Sequence, residues 1–123
     1  MTIKLPIAAI AAVSSLALIF GQTAQAISNT YAYGYCTWYV KEKRPDLPNG
    51  LGNGGQWVAN AAARGFATGT SPRTHAVAEQ TGHVAYVESV SGSSVNISEM
   101  NYNGGIGKVH TRTVTASTFK YIY

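Results

Sequence analysis

The sequence predicts an α+β fold in which two short helices precede an antiparallel sheet. Three observations predict it. Two helix-compatible segments, 36–44 and 56–64, sit together in the first half of the chain and stop at Pro45 and Gly65. β-branched and alternating residues dominate from Ala76 onward. The chain has 123 residues, 46% hydrophobic and 11% charged, with no internal repeat or low-complexity tract, which is the composition of one compact domain.

Taken in order, residues 28–34 are polar and aromatic and run into a turn at Tyr33-Gly34-Tyr35. The first helix then starts at Cys36. This puts the thiol among unpaired N–H groups at the positive end of the helix dipole, a position that by itself lowers a thiol pKa. Residues 46–55 contain Pro48, Gly50, Gly52, Gly54 and Gly55 and read as a loop. The Ala-rich second helix, 56–64, is expected to pack Trp57 inward. Strands are expected near 76–78, 83–90, 94–101, 108–115 and 119–123.

Residues 1–26 differ from the rest. Lys4 and the amino terminus make a short positive region, Leu5 to Phe20 is almost wholly apolar, and Ala24-Gln25-Ala26 is a small-x-small cleavage pattern. We read a secretory signal peptide, with a mature domain at 27–123. The alternative, an uncleaved membrane anchor, is disfavoured because about 16 apolar residues are short for a span. After cleavage the chain is expected to be secreted and monomeric, with no stable membrane insertion.

The charge is +4, and without Lys4 there remain 8 Lys+Arg against 5 Asp+Glu. No run of Lys/Arg reaches the density of a nucleic-acid patch, so no nucleic-acid partner is expected. The single cysteine excludes an internal disulfide. Cys36 is therefore a free thiol, half of an intermolecular bridge, or a small buried hydrophobe. One Cys and three His without short paired spacing predict no metal site, and no cofactor is expected.

A sharper inference comes from the strands around Gly92. By the two-residue period, His83, Ala85 and Val87 share one face, as do Val95, Ile97, Glu99 and Asn101. A three-residue loop, Ser91-Gly92-Ser93, pairs Val87 with Ile97 and sets His83 against Asn101, with Glu99 on the diagonal. A two-residue loop would put His83 on the other face and strand Val87, so the apolar match favours the first register. An imidazole beside a carboxylate or amide is the base-plus-orienter part of a nucleophilic triad, and Cys36 is the obvious nucleophile.

Four blocks carry a family resemblance: Tyr33-Gly34-Tyr35-Cys36-Thr37-Trp38-Tyr39-Val40, Gly52-Asn53-Gly54-Gly55-Gln56-Trp57, Gly82-His83-Val84-Ala85-Tyr86-Val87-Glu88 and Ile97-Ser98-Glu99-Met100-Asn101-Tyr102. In this order they resemble the CHAP domain, the cysteine- and histidine-dependent amidohydrolase/peptidase family, over 31–123. The resemblance implies a papain-like fold of the NlpC/P60-CHAP type and cleavage of amide bonds in bacterial peptidoglycan, by an N-acetylmuramoyl-L-alanine amidase or an endopeptidase. Carried over by position, Cys36 is the nucleophile, His83 the general base, Glu99 the orienter of the imidazole and Asn101 a supporting polar group. The related NlpC/P60 peptidases fit the first and last blocks less well.

Three departures stand out. His75 occupies a position where the family usually has a small residue, and it reads as a surface or cleft-rim side chain. Only Ala78 to Thr81 separate Val77 from Gly82, a shortened connection that keeps open a wall-binding module without turnover. Tyr35 stands where many relatives carry Gln, so the backbone N–H of Cys36 is the one oxyanion donor that can be named. His110, in an alternating polar strand, reads as solvated. The aromatics Tyr31, Tyr33, Tyr35, Tyr39 and Tyr102 are divided between core and substrate contact.

Overall fold

The structure, a computed structural model, describes residues 28–123; the signal-peptide reading of 1–26 lies outside the described residues. Helix α1 spans Cys36–Lys43 and α2 spans Trp57–Ala63, with a 3-10 turn at Gly54–Gln56 leading into α2. Six strands follow: β1 Thr68–Gly69, β2 Val77–Gln80, β3 His83–Ser91, β4 Ser94–Met100, β5 Val109–Thr115 and β6 Lys120–Ile122. They form one sheet in the order β1-β6-β2-β3-β4-β5, with every neighbouring pair antiparallel. The expected α+β architecture is therefore present. The two-residue strand β1 was not anticipated.

Both sheet faces are packed. Val77, Val84 and Ile122 face Val40, Leu51, Trp57 and Ala61 from the helical layer. Their sequence neighbours Ala78, Ala85 and Tyr121 point the other way, as a two-residue period requires, and pack with Val87, Val95, Ile97 and Phe119. Trp57 is wholly buried, as expected. Helix α1 ends where Pro45 approaches, and Arg44 closes it: its N–H donates to the Val40 carbonyl and its guanidinium to the carbonyls of His75 and Tyr123. Lys41, also buried, donates to the carbonyls of Pro45 and Leu47.

Two expectations need correction here. First, the β3–β4 connection is a two-residue turn, with Ser91 opposite Ser94 and Val90 opposite Val95. A regular ladder from that turn would put Val87 opposite Ser98. Instead the register shifts between Val87 and Ser89, a bulge at Glu88, and Val87 still meets Ile97. The inner pairing is the expected one, reached through a bulge rather than a longer loop. Burying Val87 against Ile97 outweighs one disrupted ladder position.

Second, the strand expected near 76–78 extends to Gln80, so the short connection before Gly82 is mostly strand. Gln80 pairs directly with His83 across a tight Thr81-Gly82 turn, with Gly82 at φ +71°. The segment is a hairpin arm. Its buried Glu79 accepts a hydrogen bond from the Val58 N–H, 2.6 Å, and so ties β2 to the start of α2.

Candidate active site

A cavity of about 650 Å³ opens where the start of α1, the Gly-rich loop and the start of β3 converge. Tyr31, Tyr35, Cys36, Gly54, His83 and Asn101 are among the residues lining it. The topology thus brings together three of the four site residues, Cys36, His83 and Asn101, while Glu99 stands directly behind His83.

Cys36 is the first residue of α1. Tyr35, in extended backbone, occupies the N-cap position and its side chain caps nothing, which leaves the first-turn N–H groups without a side-chain acceptor. Backbone N–H groups of Val84, Thr37 and Cys36 favour a negative sulfur. Burial works against them and pushes the thiol above its ordinary range, with the charge of Glu99 adding in the same direction. The helix position alone predicted lowering. Burial of the thiol reverses the sign.

His83 opens β3 and is 7% exposed. Its Nε2 lies 2.8 Å from Glu99 Oε1. A carboxylate only accepts hydrogen bonds, so the ring proton is on Nε2 and the neutral ring presents an unprotonated Nδ1. Burial moves the imidazole below its ordinary pKa; Glu99 opposes this and Arg112 assists it. The site at rest is a thiol beside a neutral imidazole.

Of the two expected neighbours of His83, the diagonal one, Glu99, makes the contact, while among the described residues no hydrogen bond joins His83 to Asn101. The last β3–β4 pair along this end of the ladder is Tyr86 with Ser98. Beyond it Glu99 touches the imidazole, while Asn101 turns into left-handed backbone, φ +58°, donates its N–H to the Lys108 carbonyl and lines the cavity wall.

The Gly-rich loop forms the opposite wall and is tied down at several points. Tyr31 Oη accepts from the Leu51 N–H, Trp57 Nε1 donates to the Gly52 carbonyl, and Asn53 N–H donates to Gln56 Oε1. A Cβ placed on Gly54 would stand 2.7 Å from the His83 nitrogen and 2.8 Å from its Cα. Only glycine allows the loop this close to the histidine backbone.

Sequence reasoning missed Arg112. Its Nε lies 2.6 Å from Glu99 Oε2 and its Nη2 3.2 Å from Glu99 Oε1, and its guanidinium carbon is 3.9 Å from the Tyr102 ring centre. The Tyr102 ring in turn lies 5.3 Å from that of His83. In β5 Arg112 faces Ile97, which places it on the Glu99 side of the sheet. That register, spanning the connection at 101–108, was the signal that could have found it.

His75 is exposed, adopts φ +72°, and its ring bonds the hydroxyl of Tyr86, away from the cavity. His110 is exposed, as expected. Of the aromatics, Tyr31 packs on Trp57 and Tyr39 donates to Ser98 Oγ, whereas Tyr33 and Tyr35 are exposed at 66% and 44%. Among the described residues no helix is long and apolar enough to cross a membrane.

The CHAP domain family model matches residues 26–101. Staphylococcal secretory antigen SsaA of Staphylococcus aureus (strain NCTC 8325 / PS 47) is 41% identical over 96 residues, 73% of this chain and 38% of its own length. Staphylococcal secretory antigen ssaA2 of the same strain is 46% identical over 96 residues, 72% of this chain and 36% of its own. The chain thus spans well under half the length of these relatives. Among solved structures, an N-acetylmuramoyl-L-alanine amidase from Staphylococcus aureus aligns with a TM-score of 0.69 and 33% identity, over 77% of this chain and 31% of that one. The structure of Ly7917, at 23% identity and a TM-score of 0.51, is alike in fold.

Proposed function

The chain belongs to the CHAP domain family, and from that premise we propose that it hydrolyses amide bonds of bacterial peptidoglycan through a Cys36 thiolate. The observation that carries this reading is the shared cavity of Cys36 and His83, with Nε2 of the histidine 2.8 Å from Glu99 Oε1, a contact that assigns the ring proton to Nε2 and the free base to Nδ1. The similarity to an N-acetylmuramoyl-L-alanine amidase structure makes the bond between the muramic acid lactyl group and L-alanine the first candidate, ahead of peptide cross-links.

In the proposed mechanism His83 Nδ1 takes the thiol proton as the sulfur attacks the substrate carbonyl. Negative charge then develops on the carbonyl oxygen, where the uncapped backbone N–H at the start of α1 is the available donor. The imidazolium returns its proton to the leaving amine as the C–N bond breaks, leaving a thioester. A water deprotonated by His83 then releases the acid and restores the thiol. Because thiol and imidazole both rest neutral, proton transfer accompanies the arrival of substrate instead of preceding it. Glu99 holds the ring and stabilises its cationic form. Asn101 is proposed as a polar contact on the cavity wall. Neither metal nor cofactor has a part in these steps.

Residues 1–26 are proposed as a signal peptide and 27–123 as the mature, monomeric, wall-associated domain; the secretory-antigen names of its relatives support export. The test compares residues 27–123 with the Cys36→Ala variant on purified Gram-positive peptidoglycan, following turbidity and released amines. Clearing by the parent alone is expected, and mass analysis of the fragments identifies the bond. If neither protein clears the wall while both are folded and co-sediment with it, the chain is a wall-binding module instead.

A further inference from the structure

We propose that Arg112 is a positioning residue of this site: by gripping both oxygens of Glu99 it fixes the carboxylate against His83 and so holds the ring in place as a base. The Glu99 side chain is fully buried, so its oxygens depend on protein partners. Oε1 is shared by His83 Nε2 at 2.8 Å and Arg112 Nη2 at 3.2 Å, and Oε2 takes Arg112 Nε at 2.6 Å. Swinging the carboxylate off the imidazole would break two charge-assisted bonds to a planar fork, a geometry that lysine cannot reproduce.

The fork is itself held. Tyr102 places its ring under the guanidinium, 3.9 Å from centroid to Cζ, and the same ring leans on His83. Neither Arg112 nor Tyr102 is among the residues lining the cavity. Arg112 lies beyond residues 26–101, where the family model matches.

The charge argument points the same way. The titratable or charged groups facing His83 are Glu99 from β4, Arg112 from β5, Tyr102 from the following loop and Cys36 from α1. Its strand partner Gln80 and the Gly-rich loop add no charge. A buried carboxylate alone beside an imidazole favours imidazolium, which cannot accept the thiol proton. Burial is the main influence opposing that pull, and the permanent charge of Arg112 adds to it in the direction of the neutral ring.

The proposal rests on the hydrolase reading for its consequence in rate, but not for the His83 titration. The experiment therefore measures both in residues 27–123: the pH titration of the His83 ring by NMR, and kcat/KM against pH on peptidoglycan, for the parent, R112K and R112Q. For R112Q, His83 is expected to titrate at higher pH than in the parent. Its kcat/KM should fall about tenfold at pH 6 and stay within about threefold at pH 8. R112K, which keeps the charge without the fork, should lie between and serves as the measurable variant if R112Q does not fold.

A folded R112Q whose His83 titration and acid limb match the parent's would overturn the proposal and leave Arg112 a structural ion pair. In R112K, which lacks the fork, kcat/KM equal to the parent's at every pH with only a lowered melting temperature would do the same. A parent without hydrolysis at any pH would sink the hydrolase reading, while the titration would still decide the role of Arg112.

Discussion

The two halves of β3 differ in everything except secondary structure. From His83 to Val87 every residue is buried, and this half carries the imidazole, faces both core layers and lies against the Gly-rich loop. From Glu88 to Ser91 every residue is exposed, and the strand only runs out to a two-residue turn. The register slips by one at the boundary. What the difference teaches is that in this hairpin burial dictates the pairing and the turn conforms to it: the inner half is pinned by Val87 on Ile97 and His83 on Glu99, and the bulge takes up the mismatch.

If the inner half is pinned by its buried contacts, removing one of them should cost far more than any change in the outer half. Among single substitutions the largest effect is expected from Glu99→Ala. It would leave the buried His83 Nε2 without its acceptor and take the partner from the partly exposed Arg112, a loss at the low end of the about 3–5 kcal/mol that breaking a buried ion pair costs. A melting-temperature drop of many degrees, together with loss of hydrolysis, is the expected outcome. A variant as stable as the parent would mean that the inner register is held by apolar packing alone.

Gly54→Ala should come next. The added methyl would meet the His83 backbone at 2.7–2.8 Å, and both sides of that contact are anchored, one by a hairpin and the other by the tied loop. Overpacking of this kind costs about 1–3 kcal/mol. The push on the imidazole should lower kcat/KM by roughly tenfold to a hundredfold. Chemical denaturation and steady-state kinetics check the two parts. A fully active, stable Gly54→Ala would show that the loop can retreat from the strand.

Much of this architecture was legible in the sequence because it is written in local signals. Pro45 and Gly65 end the helices, the two-residue period marks the strands, and the apolar match of Val87 with Ile97 found the inner register. What escaped depends on chain segments meeting from a distance. The bulge at Glu88 costs a ladder position that only burial elsewhere can offset. The clamp of Arg112 on Glu99 requires the β4–β5 register, hidden behind residues 101–108. The thiol of Cys36 was assigned the wrong direction because helix position is a local property, whereas its desolvation is made by the packing of the start of α1 against β3.

The smallest effect is also the most discriminating. Deleting Glu88 removes the extra residue and makes the ladder continuous, since Val87 already faces Ile97 and Ser89 already faces Asn96. Both neighbouring pairs survive, the turn is untouched, and the loss is chiefly the hydrogen bond from Ser98 Oγ to Glu88 Oε2, about 1 kcal/mol. Hydrolysis should stay within about threefold of the parent, since the pairs holding His83 are unmoved. Deleting Ala85 shortens the same strand by the same amount, but carries His83 to the opposite face from Glu99, and is expected to abolish both hydrolysis and cooperative unfolding. Equal damage from the two deletions would mean that the bulge itself, through its local twist, aims the inner half of the strand. A benign Glu88 deletion beside a ruinous Ala85 deletion would place the whole requirement in the buried pairs.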